Sequence, residues 1–147
     1  MTKKSPSTKT WFLVHVFFPM LPFIIEFFLR LFILGLSLDV FSSSSTLAAS
    51  IGLLCLFINQ NLLAHSIPLS DNNEQNELTE IATIFLILGI INFMFFTALL
   101  FFTINPEEHD IPKIRFYIVY FVIYIGAIFV IRQAYMTQRR FKLRAVI

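Results

Sequence analysis

Four long apolar stretches, separated by short polar segments, limit what this chain can fold into. They run from Trp11 to Leu38, Leu47 to Leu63, Ile81 to Ile104 and Ile114 to Ile131. A helix needs roughly 17 to 25 apolar residues to cross a hydrocarbon core about 30 Å thick, and in lipid it satisfies its own backbone hydrogen bonds. The pattern therefore predicts an all-α integral membrane protein, a four-transmembrane-helix bundle spanning residues 11–131.

The composition argues against a soluble core. Hydrophobic residues make up 57% and charged residues 14% of the 147 residues, whereas soluble domains contain about 45–50% and about 25%. The first apolar stretch is longer than the roughly 7 to 15 residues of a signal-peptide core, so we expect it to remain as a membrane anchor. The single cysteine, Cys55, rules out an internal disulfide.

Basic residues concentrate in the two terminal segments. Eight of the eleven lie in the N-terminal tail (1–10) or the C-terminal tail (132–147), namely Lys3, Lys4, Lys9, Arg132, Arg139, Arg140, Lys142 and Arg144. The positive-inside bias then predicts that both termini are cytoplasmic, in a bacterial inner (plasma) membrane. An even number of crossings follows, so the second stretch must also cross, although it is short and is interrupted by Asn59, Gln60 and Asn61.

This orientation assigns a side of the membrane to each connecting segment. Residues 38–46 and 105–113 are predicted to face outward. Residues 64–80 are predicted to form a cytoplasmic loop with Asp71, Glu74, Glu77 and Glu80 and without Lys or Arg. This acidic loop and the basic C-terminal tail are the two polar surfaces that we expect a cytoplasmic partner to meet.

Glu26 and Arg30 are two charges inside the first apolar stretch. Each costs about 2.5–3.5 kcal/mol at the centre of a transmembrane helix. Their i, i+4 spacing, with the acid first, places them on one helix face in the order that favours an ion pair. We predict a mutually neutralising pair. It either orients the first helix in the bundle or lines a polar cavity or switch.

Tyr117, Tyr120 and Tyr124 recur at spacings of three and four, which predicts that they share one face of the fourth helix. Together with Asn59 on the second helix and Asn92 on the third, they are candidates for an interhelical hydrogen-bonded set. The alternative is that these tyrosines belong to the aromatic belt at a membrane interface.

The sequence contains no pattern typical of a catalytic or cofactor site. The segment Asn105–Asp110 has side chains that can bind metals, but adjacent residues on a loop do not converge on one ion. Nucleophile elbows, phosphate loops and paired-carboxylate motifs are not found. We therefore predict a protein that is not an enzyme, without a cofactor or metal. The basic C-terminal tail is expected to contact anionic lipids or a partner protein.

The layout as a whole resembles the membrane subunit of the Kiwa anti-phage defence system. The features in common are a short lysine-containing tail before Trp11, four apolar helices and an arginine-rich end. This resemblance implies a homo-oligomer, a tetramer, that registers a membrane disturbance and works with a cytoplasmic effector subunit that binds DNA. The chain itself is not expected to contact nucleic acid directly.

Three classes of function remain compatible with the residues themselves. The first is a sensor or scaffold subunit that recruits or regulates a cytoplasmic effector. The second is a small ion channel or transporter, for which Glu26 and Arg30 are the support. The third is a four-helix toxin, holin or immunity protein.

Overall fold

A computed structural model describes residues 8–67, 71–104 and 113–145 of the chain. The elements in these ranges are all helical. In chain order they are α1 (Thr8–Phe12), a π-helical turn (Leu13–Phe17), α2 (Phe18–Leu34), a 3-10 segment (Leu38–Ser43), α3 (Ser44–Ser66), α4 (Asn72–Ile104) and α5 (Lys113–Phe141).

Four spans within the described ranges are long and apolar enough to cross a membrane. They are Thr8–Leu34, Leu38–Ser66, Asn72–Phe102 and Ile114–Phe141. The predicted all-helical class with four such helices is thereby confirmed. Thr8 and Gln138 are joined by a side-chain hydrogen bond of 3.5 Å, so the first and last spans have these ends on the same side of the bundle.

The second span lies at the centre of the bundle. Of its most apolar window, 56% is buried inside the protein, against 22%, 17% and 17% for the other three spans. Helix α3 packs against α2, α4 and α5, most extensively against α4. The shortest of the predicted stretches is therefore the one that the other three enclose.

Two glycines allow α3 and α4 to approach closely. A Cβ atom added to Gly89 of α4 would lie 3.3 Å from both the Gly52 carbonyl oxygen and the Cys55 Cβ atom of α3. A Cβ added to Gly52 would lie 3.0 Å from a ring carbon of Phe93. Small residues at a transmembrane helix interface increase van der Waals contact between backbones.

The first span ends earlier than its apolar stretch. Helix α2 stops at Leu34, and Gly35 follows with φ of 65°. Glycine adopts this conformation without the steric penalty of a side chain. Residues 35–37, apolar in part, therefore form the turn that leads into the 3-10 segment, which begins at Leu38.

The predicted acidic loop is mostly helix. Asp71 accepts a hydrogen bond from the Asn73 backbone N–H at 2.9 Å, as an N-terminal cap does, and α4 begins at Asn72. Glu74 lies in the first turn, where a negative charge stabilises the helix dipole. With 33 residues, α4 is about 50 Å long at 1.5 Å per residue, so it extends beyond a hydrocarbon core of about 30 Å.

The predicted basic tail is also partly helical. Helix α5 continues through Arg132, Arg139 and Arg140 and ends at Phe141 instead of Ile131. Straight-chain basic residues favour helix, and a cation near the C-terminus of a helix interacts favourably with its dipole. Lys3, Lys4 and the segment Asn105–Asp110 lie outside the described residues.

Candidate functional site

Glu26 and Arg30 form the ion pair that their spacing predicts, and both have further partners. Arg30 Nε lies 2.7 Å from Glu26 Oε1, and Arg30 Nη1 donates to Ser42 Oγ at 2.7 Å. The Thr46 hydroxyl donates to the second carboxylate oxygen of Glu26. Ser42 in turn donates to the Asp39 carbonyl oxygen at 2.7 Å. We call Glu26, Arg30, Asp39, Ser42 and Thr46 the ion-pair network. Its hydrogen bonds connect α2 to the 3-10 segment and to the first turn of α3.

One of the predicted tyrosines, Tyr117, joins α5 to this network, and Tyr124 bonds the adjacent Ser43. The Tyr117 hydroxyl donates to Asp39 Oδ1 at 3.1 Å, and the Tyr124 and Ser43 hydroxyls are 3.1 Å apart. The Tyr124 ring also packs against Phe23 and Phe41, with ring centroids 5.8 Å and 5.4 Å away. Tyr120 lies between Tyr117 and Tyr124 on a cleft of about 370 Å³, which is lined by Leu38, Phe41, Tyr117, Tyr120, Phe121 and Tyr124.

The predicted polar asparagines do not join the tyrosines. Asn59 is buried and donates to the Ala82 carbonyl oxygen of α4 at 2.7 Å. Asn92 donates to the Leu88 carbonyl oxygen of its own helix at 2.8 Å. The structure therefore joins Tyr117 to the ion-pair network and Tyr124 to the neighbouring Ser43. It places Asn59 at the α3–α4 interface and leaves Asn92 with a local hydrogen bond.

Neutralising Glu26 should show whether the pair stabilises the fold. The Glu26→Gln variant leaves Arg30 without its carboxylate, and we expect the free energy of unfolding to fall by about 3–5 kcal/mol, as when one partner of a buried pair is lost. Because both charges are part-exposed, the lower end of this range is the expectation. Unfolding in mixed micelles measures the change. The charge swap Glu26→Arg with Arg30→Glu should recover part of it, and an unchanged E26Q variant would contradict the coupling.

A second polar cluster lies at the opposite end of the bundle, with Asn61 at its centre. Trp11 Nε1 donates to Asn61 Oδ1 at 3.0 Å, and Asn61 Nδ2 donates to the Arg144 carbonyl oxygen at 2.8 Å. The Trp11 and Asn61 side chains are both buried. One amide group thus joins the start of the first span and the end of α3 to the segment after α5.

The histidines of this end continue the cluster. His65 Nδ1 lies 2.7 Å from the Asn61 carbonyl oxygen, and its Nε2 accepts the Arg144 backbone N–H at 3.0 Å. His15 stacks on Trp11, with ring centroids 5.1 Å apart and planes inclined by 14°. His15 lies in the π-helical turn just before Pro19, whose ring crowds the carbonyl group four residues earlier.

The segment after α5 is folded back onto α3. Lys142 has φ of 49°, and the Leu143 N–H donates to the Gln138 carbonyl oxygen at 3.3 Å, which is the pattern of a Schellman motif. Leu143 is buried, and Gln138 Nε2 donates to its carbonyl oxygen at 3.3 Å. We call Trp11, Asn61, His65, Gln138 and residues 143–144 the terminal network.

Lys142 offers a direct test of this turn. A left-handed conformation penalises a residue with a Cβ atom by roughly 1 kcal/mol, and glycine avoids the penalty. We expect Lys142→Gly to raise the free energy of unfolding by about 0.5–1 kcal/mol. Thermal unfolding in detergent measures it, with Lys142→Ala as the matched control for the lost charge. An equal change in the free energy of unfolding for both variants would show that it comes from the lost charge of Lys142 and not from its left-handed conformation.

The basic residues predicted to meet lipid or a partner surround the terminal network. Arg132, Arg139, Lys142 and Arg144 are exposed. Arg139 lies over the Tyr135 ring, 5.9 Å from its centroid, whereas Arg140 Nη2 lies 2.6 Å from Glu77 Oε1 of α4. The acidic and basic surfaces predicted from the sequence therefore contact each other through one exposed ion pair, which contributes about 0.2–1 kcal/mol.

Sequence reasoning missed the roles of Asn61, His65 and Gln138. Asn61 interrupts an apolar stretch, which by hydropathy alone argues against a membrane span. A polar side chain in such a place is tolerated when it lies against protein. The start of α4 had a readable signal, because Asp71 followed three residues later by Glu74 resembles a capping box.

Among the described residues, no group of three or more His, Cys, Asp or Glu side chains is placed to hold a metal ion. Comparison of the chain with protein-family models, with curated proteins and with solved structures returned no match.

Proposed function

We propose that this chain is a non-enzymatic scaffold or sensor subunit of a bacterial membrane complex, and that it recruits or regulates a cytoplasmic effector protein. The observation that supports this most is the terminal network. It joins the ends of the first span, α3 and α5 into one surface, and exposed cations surround that surface. A surface ordered in this way is suited to a fixed partner, because less conformational entropy is lost on binding.

The proposed orientation places the terminal network in the cytoplasm. Lys9 and the basic residues at the end of α5 lie at this end of the bundle, in accordance with the positive-inside bias. Both chain termini are then cytoplasmic, and the ion-pair network lies toward the outer side.

The charges around the terminal network indicate what kind of partner would fit. Arg139, Lys142 and Arg144 are exposed on one side, and Glu74 and Glu80 are exposed on the first turns of α4. A partner with patches of both signs would be oriented by both, with a larger effect on association rate than on affinity. Anionic headgroups can occupy the same cations, at about 1 kcal/mol for each basic residue.

The layout resemblance supports a narrower form of the proposal. In this form, the complex acts in anti-phage defence. The membrane subunit is a homotetramer, and the cytoplasmic effector, not this chain, binds DNA. The ion-pair network is the element that would register a membrane disturbance, because two part-exposed charges within a span depend on local hydration.

A channel or transporter is the second candidate. The only support for it is the pair of charges in the ion-pair network. Glu26 and Arg30 each bind the other and one further hydroxyl group. A pair with this many partners supports a role in positioning α2 against α3 more than a role in ion passage. The toxin, holin or immunity class is separated from the scaffold class by whether a partner is required.

Partner binding is tested by purifying the chain from cells of its native host, in mild detergent at low and moderate salt, and identifying the soluble proteins that co-purify with it. Reversal of Arg139, Lys142 and Arg144 to Glu leaves the Arg140–Glu77 pair intact, and we expect it to reduce co-purification at least tenfold. The matched control reverses Arg115, an exposed cation at the other end of α5.

The orientation is tested with topology reporters. A reporter fused after Ile147 should be cytoplasmic, and a reporter at Glu108 should be external.

Two results would contradict the proposal. One is an external reporter reading at Ile147. The other is a chain that protects cells or conducts ions fully when expressed alone, with the three reversed residues and normal membrane insertion. The second result would favour the channel or toxin class.

A further inference from the structure

His65 holds the segment after α5 with one ring nitrogen and bonds its own helix with the other. Its Nε2 lies 3.0 Å from the Arg144 backbone nitrogen, which can only donate, so Nε2 must carry a lone pair. Its Nδ1 lies 2.7 Å from the Asn61 carbonyl oxygen, which can only accept, so Nδ1 must carry the proton. The two contacts together are compatible with one neutral tautomer of His65.

From this geometry we propose that protonation of His65 releases residues 143–145 from α3, so that the C-terminal segment is held by a proton-operated latch. A second proton on the ring sits on Nε2 and points at the Arg144 N–H, which turns an acceptor–donor contact into two opposed donors. Histidine is the side chain that ordinarily changes charge between pH 5 and 8, and this is the range in which the latch is tested.

The rest of the segment's attachment consists of two hydrogen bonds and one buried side chain, beside one residue in a left-handed conformation. Asn61 Nδ2 donates a hydrogen bond to the Arg144 carbonyl oxygen at 2.8 Å. Gln138 Nε2 donates a longer one, of 3.3 Å, to the Leu143 carbonyl oxygen. Lys142 holds the turn in a left-handed conformation that disfavours a side chain. Burial of Leu143 is the main apolar contribution.

Charged and titratable groups lie around His65 on the π-helical turn, on α4 and α5 and on the held segment. From the π-helical turn, His15 interacts electrostatically with His65, and Arg144 belongs to the held segment itself. Helices α4 and α5 contribute the Glu77–Arg140 pair at this end, in which the carboxylate already binds the guanidinium. The hydrogen bonds of His65 within the described residues involve Asn61 and Arg144, neither through a carboxylate.

The consequence for partner binding rests on the proposed function, whereas the release itself does not. If the scaffold proposal holds, an opened latch changes the position of Arg144 and its neighbours, and so changes the surface that the partner meets. Partner binding should then differ between neutral and mildly acidic buffer.

A nitroxide at position 145 tests the latch directly. The Ala145→Cys change in a Cys55→Ala background gives one labelling site in the full chain, reconstituted in lipid nanodiscs. We expect the mobile component of the spectrum to rise roughly 3- to 10-fold between pH 8 and pH 5.5, as for the loss of one hydrogen bond with added repulsion. His65→Gln should abolish this rise, and His15→Gln should retain it.

The outcomes separate the latch from the scaffold. A wild-type spectrum that does not change with pH, or a His65→Gln variant that changes as much as wild type, overturns the latch. Mobility that responds to pH through His65, in a chain that captures no partner at either pH, supports the latch and contradicts the proposed function. Far-ultraviolet circular dichroism verifies that each variant keeps its helices.

Discussion

Replacement of Gly89 by leucine is expected to lower the free energy of unfolding markedly, because it drives apart the two helices that pack most extensively. The new Cβ atom would lie 3.3 Å from the Gly52 carbonyl oxygen and from the Cys55 Cβ atom. One of these belongs to the backbone and the other to the base of a side chain, so neither can rotate away. Overpacking costs about 1–3 kcal/mol and occasionally more, and the bulk of leucine favours the upper end.

A matched control for this variant is present on α5. A Cβ atom added to Gly126 meets nothing within 4 Å, so Gly126→Leu adds the same bulk in the middle of a helix without a clash. Unfolding in mixed micelles, followed by circular dichroism, should give a clearly lower midpoint for Gly89→Leu alone. Equal midpoints for the two variants would show that α3 and α4 do not pack as described.

Removal of the Asn61 amide is expected to dismantle the terminal network. The Asn61→Leu variant keeps the size of the side chain but deprives the buried Trp11 N–H and the Arg144 carbonyl group of their partners. The buried Trp11 N–H left unsatisfied costs about 1–3 kcal/mol and the part-buried Arg144 carbonyl group costs less, so we expect a loss of roughly 2–3 kcal/mol together with release of the C-terminal segment.

The indole of Trp11 reports this loss by itself, because the chain contains one tryptophan. Its emission should shift to longer wavelength in Asn61→Leu as water reaches the ring, and partner capture should fall with it. Gln60→Leu changes an exposed neighbour on the same helix and serves as the control. An emission spectrum identical to wild type in Asn61→Leu would contradict a central role for this amide.

Local sequence was sufficient for features that depend on neighbours along the chain. The four helical spans follow from apolar length, because a helix in lipid satisfies its own backbone. The contact between Glu26 and Arg30 follows from a spacing of four, which places two side chains one turn apart. The start of α4 at Asn72 was also readable, from Asp71 and Glu74, although hydropathy alone assigned these residues to a loop.

Tertiary structure decided which span is central and what its polar residues do. Asn59, Gln60 and Asn61 look alike as interruptions of an apolar stretch, yet Gln60 is exposed, Asn59 binds α4, and Asn61 joins Trp11 to Arg144. These partners are separated from Asn61 by 50 and 83 residues. Hydropathy measures the transfer of each side chain from water, whereas the free energy of a buried amide depends on donors and acceptors that only the packing of distant helices brings within 3 Å.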